Sequence, residues 1–182
     1  MSAEFLLEIG TEELPSSFVT HALRSLEEGA AELVAQTRLG SDDLEIKTLG
    51  TPRRLALSIR GLADRQPDRD ETVTGPPWSA AFDADGTAKK AATGFAKKHG
   101  VTVDALVKTA TDKGDYVSVR VHERGKATHD VLSEQLPQLC QRISFPKSMR
   151  WGPGEIAFGR PIHWIVSLLG NDIVEFRFAN VT

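Results

Sequence analysis

Apolar and polar side chains change rhythm several times along the chain, and each change predicts an element. Residues 3 to 9, AEFLLEI, form a short apolar run closed by Gly10, and Leu14-Pro15-Ser16-Ser17 follows with turn, cap and first-turn proline chemistry. This predicts a strand and then a helix. Phe18, Ala22, Leu26, Ala30, Leu33 and Leu39 recur near helical spacing and Gly40 supplies a stop, so the helix is expected to be long, amphipathic and finished near residue 39. Residues 44 to 49 (LEIKTL) and 55 to 62 (LALSIRGL) alternate apolar with polar, broken by Gly50-Thr51-Pro52. They predict two strands with a tight connection carrying Arg53 and Arg54. Residues 63 to 77 are polar and proline-punctuated, which predicts a loop or crossover and the best internal boundary in the chain.

Residues 87 to 99 read as a short helix with Lys89, Lys90, Lys97 and Lys98 on its surface, and Val103 to Val107 add a further turn. Asp112-Lys113-Gly114 turns a β-hairpin whose strand formers are Tyr116, Val117, Val119 and Val121. Thr128 to Ile143 is helical again, with Pro137 expected to kink or split it. Ile162 to Leu169 and Asp172 to Phe178 predict a closing hairpin across Gly170-Asn171. Together these elements give an α+β fold with a mixed or mainly antiparallel sheet and packed helices.

A chain of 182 residues is one domain of upper-middle size or two small ones sharing a core. The single cysteine, Cys140, excludes an internal disulfide framework and a Cys-rich zinc module, and makes the reducing cytoplasm the default compartment. No run approaches 18 apolar residues and the first residues lack a secretory pattern, so neither a membrane span nor export is expected. The formal glycosylation sequon Asn180-Val181-Thr182 then carries no meaning. The net charge of -3 hides an asymmetry: residues 1 to 45 hold ten acids and two bases, leaving twenty bases and fifteen acids in the remainder. A polyanion would be met by the later portion, with the acidic beginning left for protein contact or for solvating one helix face.

Signatures of nucleotide-phosphate loops, zinc proteases and nucleophile elbows are absent. Ser144-Phe145-Pro146-Lys147 matches a serine-lysine pattern without its companion motifs, and the histidines at 21, 99, 122, 129 and 163 never fall at helical ligand spacing. Neither a catalytic residue nor a metal site is predicted. Three cationic clusters stand out. Arg53 and Arg54 follow a proline-fixed turn, suited to gripping a planar anion, although one of two adjacent strand arginines could equally serve an internal carboxylate. Lys147, Ser148, Arg150 and Trp151 offer the groups that hold a phosphate and stack a base, while Met149 and Trp151 alternate as core residues would. Arg160, His163 and Trp164 lie just before the closing strand, where the alternation with Ile162 and Val166 places Trp164 in the core.

These clusters belong to a larger set of blocks: Leu6-Leu7-Glu8-Ile9-Gly10-Thr11-Glu12-Glu13-Leu14-Pro15, Thr51-Pro52-Arg53-Arg54-Leu55-Ala56, Gly75-Pro76, Ala80-Ala81-Phe82-Asp83, Gly86, Gly94-Phe95-Ala96, Asp112-Lys113-Gly114, Pro146 to Gly152, and Phe158-Gly159-Arg160-Pro161-Ile162-His163-Trp164. In this order they resemble the start of the β subunit of bacterial, heterotetrameric (α2β2) glycyl-tRNA synthetase, across essentially the whole chain. The family's β subunit is several times longer and continues into a Gly-His-Arg-Phe block that this chain lacks, so the chain is expected to be an N-terminal region of it.

The resemblance implies a division of labour. The α subunit handles glycine, ATP and adenylate chemistry, so this segment holds no cofactor of its own and is inactive alone. The β subunit binds tRNA(Gly), with Arg53, Arg54, Lys147, Arg150, Arg160 and His163 as candidate contacts. It also implies a fold similar to the B3/B4 editing module of another synthetase. Two alternatives stay open: an aminoacyl-ester editing hydrolase, disfavoured because no amino acid is smaller than glycine, and a structural scaffold whose arginines serve internal ion pairs.

Overall fold

The computed structural model describes residues 3–83, 85–151 and 155–181. In chain order the elements are β1 (Phe5–Thr11), α1 (Ser16–Thr37), β2 (Gly40–Thr51), β3 (Arg54–Leu62), β4 (Arg69–Pro77), α2 (Trp78–Ala81), α3 (Lys90–Lys98), β5 (Val107–Thr111), β6 (Gly114–Glu123), α4 (Thr128–Arg142), β7 (Met149–Arg150), β8 (Ala157–Phe158), β9 (Ile162–Leu169) and β10 (Asp172–Ile173), with one 3-10 turn at Val103–Ala105. The chain divides into two compact units, residues 1–67 with 126–182, and residues 68–125. Every strand pairing is antiparallel. No described helix is long and apolar enough to cross a membrane.

The first unit is built on a five-stranded sheet of order β10-β9-β1-β3-β2. Strand alternation sends Phe5, Leu7 and Ile9 of β1 to one face, opposite Ile59, Leu57 and Leu55 of β3, and all six are buried. Each such side chain contributes about 1.5–3 kcal/mol of transfer free energy. Against that face α1 buries Ala22, Leu26, Ala30, Leu33 and Val34, and α4 buries Val131, Leu132, Leu136 and Leu139. Two glycines set the approach of α1 to its neighbours. A Cβ on Gly29 would stand 2.9 Å from Leu139 of α4, and one on Gly50 would stand 2.8 Å from Val19.

Three boundaries differ from the sequence pattern. Helix α1 ends at Thr37, close to the expected residue 39, but the left-handed cap is Arg38 (φ 58°), and Gly40, expected as the stop, instead opens β2. Helix α4 continues through Pro137 without splitting, with its buried positions on one face on both sides of the proline. Strand β10 stops at Ile173, not Phe178: the carbonyl of Ile173 lies 3.0 Å from the His129 ring Nε2, and the Glu175 carbonyl accepts from Ser133 at 2.5 Å. These α4 side chains take the carbonyls that a longer ladder would have used.

The second unit holds a three-stranded sheet of order β4-β6-β5, with a core of Ala81, Phe82, Ala92, Ala96, Leu106, Val117 and Val119. The expectation of a loop over 63–77 is corrected here: residues 69–77 are β4, with Val73 opposite Val119 of β6. The strand is polar because cross-strand pairing sustains it. Asp70 accepts from Arg120 at 2.7 Å and lies 2.9 Å from His122 Nδ1, and these contacts, the one with His122 foremost, hold its carboxyl below the usual range.

Candidate nucleic-acid interface

A β-bulge decides where the side chains of β9 point. Gly10 of β1 pairs with Trp164, yet the next residue, Thr11, pairs with Ile162, so His163 is the extra residue in the ladder. Ile162 therefore turns inward and is buried, whereas Trp164 and Val166 point to the other face, each 37% exposed. The expectation that Trp164 shares a core face with Ile162 is thus overturned: the inserted residue turns Ile162 inward, while Trp164 keeps the outer face of Val166. Its ring lies instead over Gly10, where a Cβ would come within 2.1 Å of Cε2. The Arg54 guanidinium, two strands away in the register Arg54–Gly10–Trp164, lies 5.3 Å from the ring centroid.

Around this pair lies an open concavity of about 650 Å³ lined by Thr11, Glu12, Glu13, Arg53, Arg54, His163 and Trp164. Its rim is fixed by backbone. The N–H of Thr11 donates to Arg53 O at 3.0 Å, that of Leu14 to Pro52 O at 2.6 Å, and that of Glu12 to Pro161 O at 3.0 Å. The segment after β1 is thereby tied both to the proline turn and to the entry of β9. Both arginines face acids: Arg53 lies 3.7 Å from Glu13, both largely exposed, and Arg54 lies 3.5 Å from the more buried Glu8. Exposed pairs of this length are worth little and exchange readily for another anion. The concavity therefore combines oriented guanidinium groups, an imidazole and a ring face in one place.

The remaining candidates lie outside the concavity. Arg160 is half-buried, donates to the Gly159 carbonyl at 2.9 Å and stands 5.7 Å from the Phe18 ring centroid. Lys147 and Arg150 are exposed and form no ion pair with a described residue. They border the β7–β8 ladder, in which Met149 is 41% exposed opposite buried Phe158, while Trp151 packs partly buried against the core. Trp151 thus keeps the packing that its alternation with Met149 implies, and of the two tryptophans it is Trp164 that leaves its expected place. Gly152 of this block, and Thr182 of the sequon, lie outside the described residues.

The acidic beginning is largely answered within the first unit. Glu4 meets Arg60 at 3.2 Å, Glu32 meets Arg142 at 2.8 Å and Glu45 meets Lys47 at 2.5 Å, besides Glu8 and Glu13. Half of the ten acids are engaged by bases beyond residue 45, so they do not form a free acidic face. Cys140 is buried, and burial pushes its thiol up to about 12, which keeps it protonated and unreactive.

The glycyl-tRNA synthetase beta subunit family model matches residues 5–182. Over its whole length the chain is 51% identical to the glycine–tRNA ligase beta subunit of Trichlorobacter lovleyi and 46% identical to that of Geobacter sulfurreducens. It is also 47% identical, over 98% of its length, to that of Geobacter metallireducens. In each case it spans 26% of the relative, about a quarter of those proteins. A family match across nearly every residue, including the turn, bulge and sheet end that form the concavity, places the chain in the glycyl-tRNA synthetase beta subunit family.

Proposed function

We propose that this chain is the N-terminal region of a glycyl-tRNA synthetase β subunit and that it holds tRNA(Gly) while a separate α subunit, in an α2β2 enzyme of the cytoplasm, carries out the ATP-dependent attachment of glycine. The observation that carries this reading is the concavity at the end of the five-stranded sheet. Arg53 and His163 flank a tryptophan ring with the Arg54 guanidinium near it, a combination suited to an unpaired nucleotide whose base stacks and whose phosphate exchanges with Glu13 or Glu8. Arg160, Lys147 and Arg150 extend the cationic surface as phosphate contacts rather than base readers.

A scaffold role predicts arginines buried against carboxylates. Arg53, Lys147 and Arg150 are instead exposed, and among the described residues only Arg53 of the three faces an acid. The test is an electrophoretic shift of a tRNA(Gly) transcript by the chain. Binding should weaken steeply with salt, and the Arg53→Ala/Arg54→Ala variant should lower affinity at 0.1 M salt by about tenfold or more. A chain that shifts no tRNA, or a double variant that binds as tightly as the parent, would overturn the assignment. Adding a glycyl-tRNA synthetase α subunit should yield a stable complex without glycylation by the chain alone.

A further inference from the structure

Outside the concavity, the second unit carries a surface that nothing in its own packing explains. Residues 86 to 103 contain four lysines and no acid. Within this run α3 buries Ala92 and Ala96 against the small core and leaves Lys90, Thr93, Gly94, Lys97 and Lys98 exposed. Lys89 is engaged, 3.0 Å from Asp83 and 2.9 Å from the Ser79 carbonyl. Lys90, Lys97 and Lys98 form no ion pair with any described residue. Helical geometry places them four residues before, three after and four after Gly94, so all three surround that glycine on one face.

Gly94 itself is out of place by ordinary rules. A glycine in a helix interior costs roughly 0.5–1 kcal/mol relative to alanine, and such a cost is commonly offset by close packing. Gly10, Gly29 and Gly50 each have a neighbour within 3.0 Å of the missing Cβ, whereas Gly94 has nothing within 4 Å. Its φ is not left-handed either. The missing side chain leaves a low, flat centre, with lysines about 10 Å apart along the axis at either end, from the rise of 1.5 Å per residue.

We infer that this face of α3 is a second RNA contact, on which a phosphodiester backbone lies close over Gly94 and exchanges its counterions for Lys90, Lys97 and Lys98. Lysines without carboxylate partners suit this role, because no internal pair has to break when a phosphate arrives. The contact carries no base recognition. It adds sequence-independent affinity and rests on the tRNA reading above.

The experiment measures affinity of the chain for a tRNA(Gly) transcript as a function of salt. It compares the parent with Lys90→Gln/Lys97→Gln/Lys98→Gln, Gly94→Leu and, as a control, Lys113→Gln in the turn between β5 and β6. The triple variant should flatten the logarithmic salt slope by roughly one per lysine and weaken binding about a hundredfold at 0.1 M salt. Gly94→Leu, with its charge intact and its fold verified by melting, should also weaken binding, and Lys113→Gln should change the slope by less than any one of the three. A parent that binds no tRNA overturns the earlier reading and this one together. A parent that binds while the triple variant keeps its slope and affinity overturns this inference alone.

Discussion

Gly10 and Gly94 are both glycines inside regular elements, and they lack a side chain for opposite reasons. The space beside Gly10 is filled from within, by the Trp164 ring that β9 delivers across the sheet. No described residue fills the space beside Gly94, and lysines stand around it. The first is a piece of internal carpentry at the edge of a site; the second spends helix stability without an internal return. The comparison separates positions that the fold explains from positions that point to a partner.

The largest effect that sharpens this contrast concerns the ring above Gly10. Removing a core aromatic, Phe158→Ala, should cost about 3–5 kcal/mol in chemical denaturation. Trp164→Ala should cost about 1–2 kcal/mol, since its ring is on the surface side of the bulge. Equal losses would return Trp164 to the core. Gly10→Ala comes next. The new methyl collides with the ring, and overpacking of this kind costs typically 1–3 kcal/mol. The loss should shrink when Trp164→Ala is added, because the two share one space, and a double-mutant cycle measures that coupling. Gly94→Ala should have the opposite sign, stabilising the chain by about 0.5–1 kcal/mol in a thermal melt. A destabilised Gly94→Ala would mean that the helix, and not a partner, needs the glycine.

Much of the fold was legible because core-facing periodicity is local. The α1 helix, the β2–β3 hairpin, the Asp112-Lys113-Gly114 turn and α4 all follow from it. What escaped depends on partners distant in sequence. Strand β4 packs Val73 inward but has few other large apolar side chains and is held by β6, so its pattern looks like a loop. The bulge at His163 is a single inserted residue, invisible to alternation, yet it puts Ile162 and Trp164 on opposite faces of the sheet. The arginines of that site were legible from the proline turn. Their convergence with His163 was not, because it arises from strand order. The lysines of α3 were visible as a solvated face, and only the empty space at Gly94 distinguishes them from an ordinary one.

The smallest expected effect lies in the second unit and is read as a direction. Asp70 is held below its ordinary value of 3.8 by His122 and Arg120. A lowered folded value means that its contribution is complete above the unfolded value and disappears as pH falls through the folded one. Melting temperature should therefore decline below about pH 4 in the parent, and Asp70→Asn should remove part of that decline. An unchanged acid profile would show that the cross-strand contacts of β4 add nothing.

In the proposed function, the Trp164 and Arg54 pair over Gly10 receives an unpaired nucleotide of tRNA. Its most direct test is the emission of Trp164 alone, in a Trp78→Phe/Trp151→Phe variant shown by melting to be folded, titrated with tRNA(Gly). Saturable quenching should follow the binding curve and be lost in Arg54→Ala. Bound tRNA with unaltered Trp164 emission would contradict it.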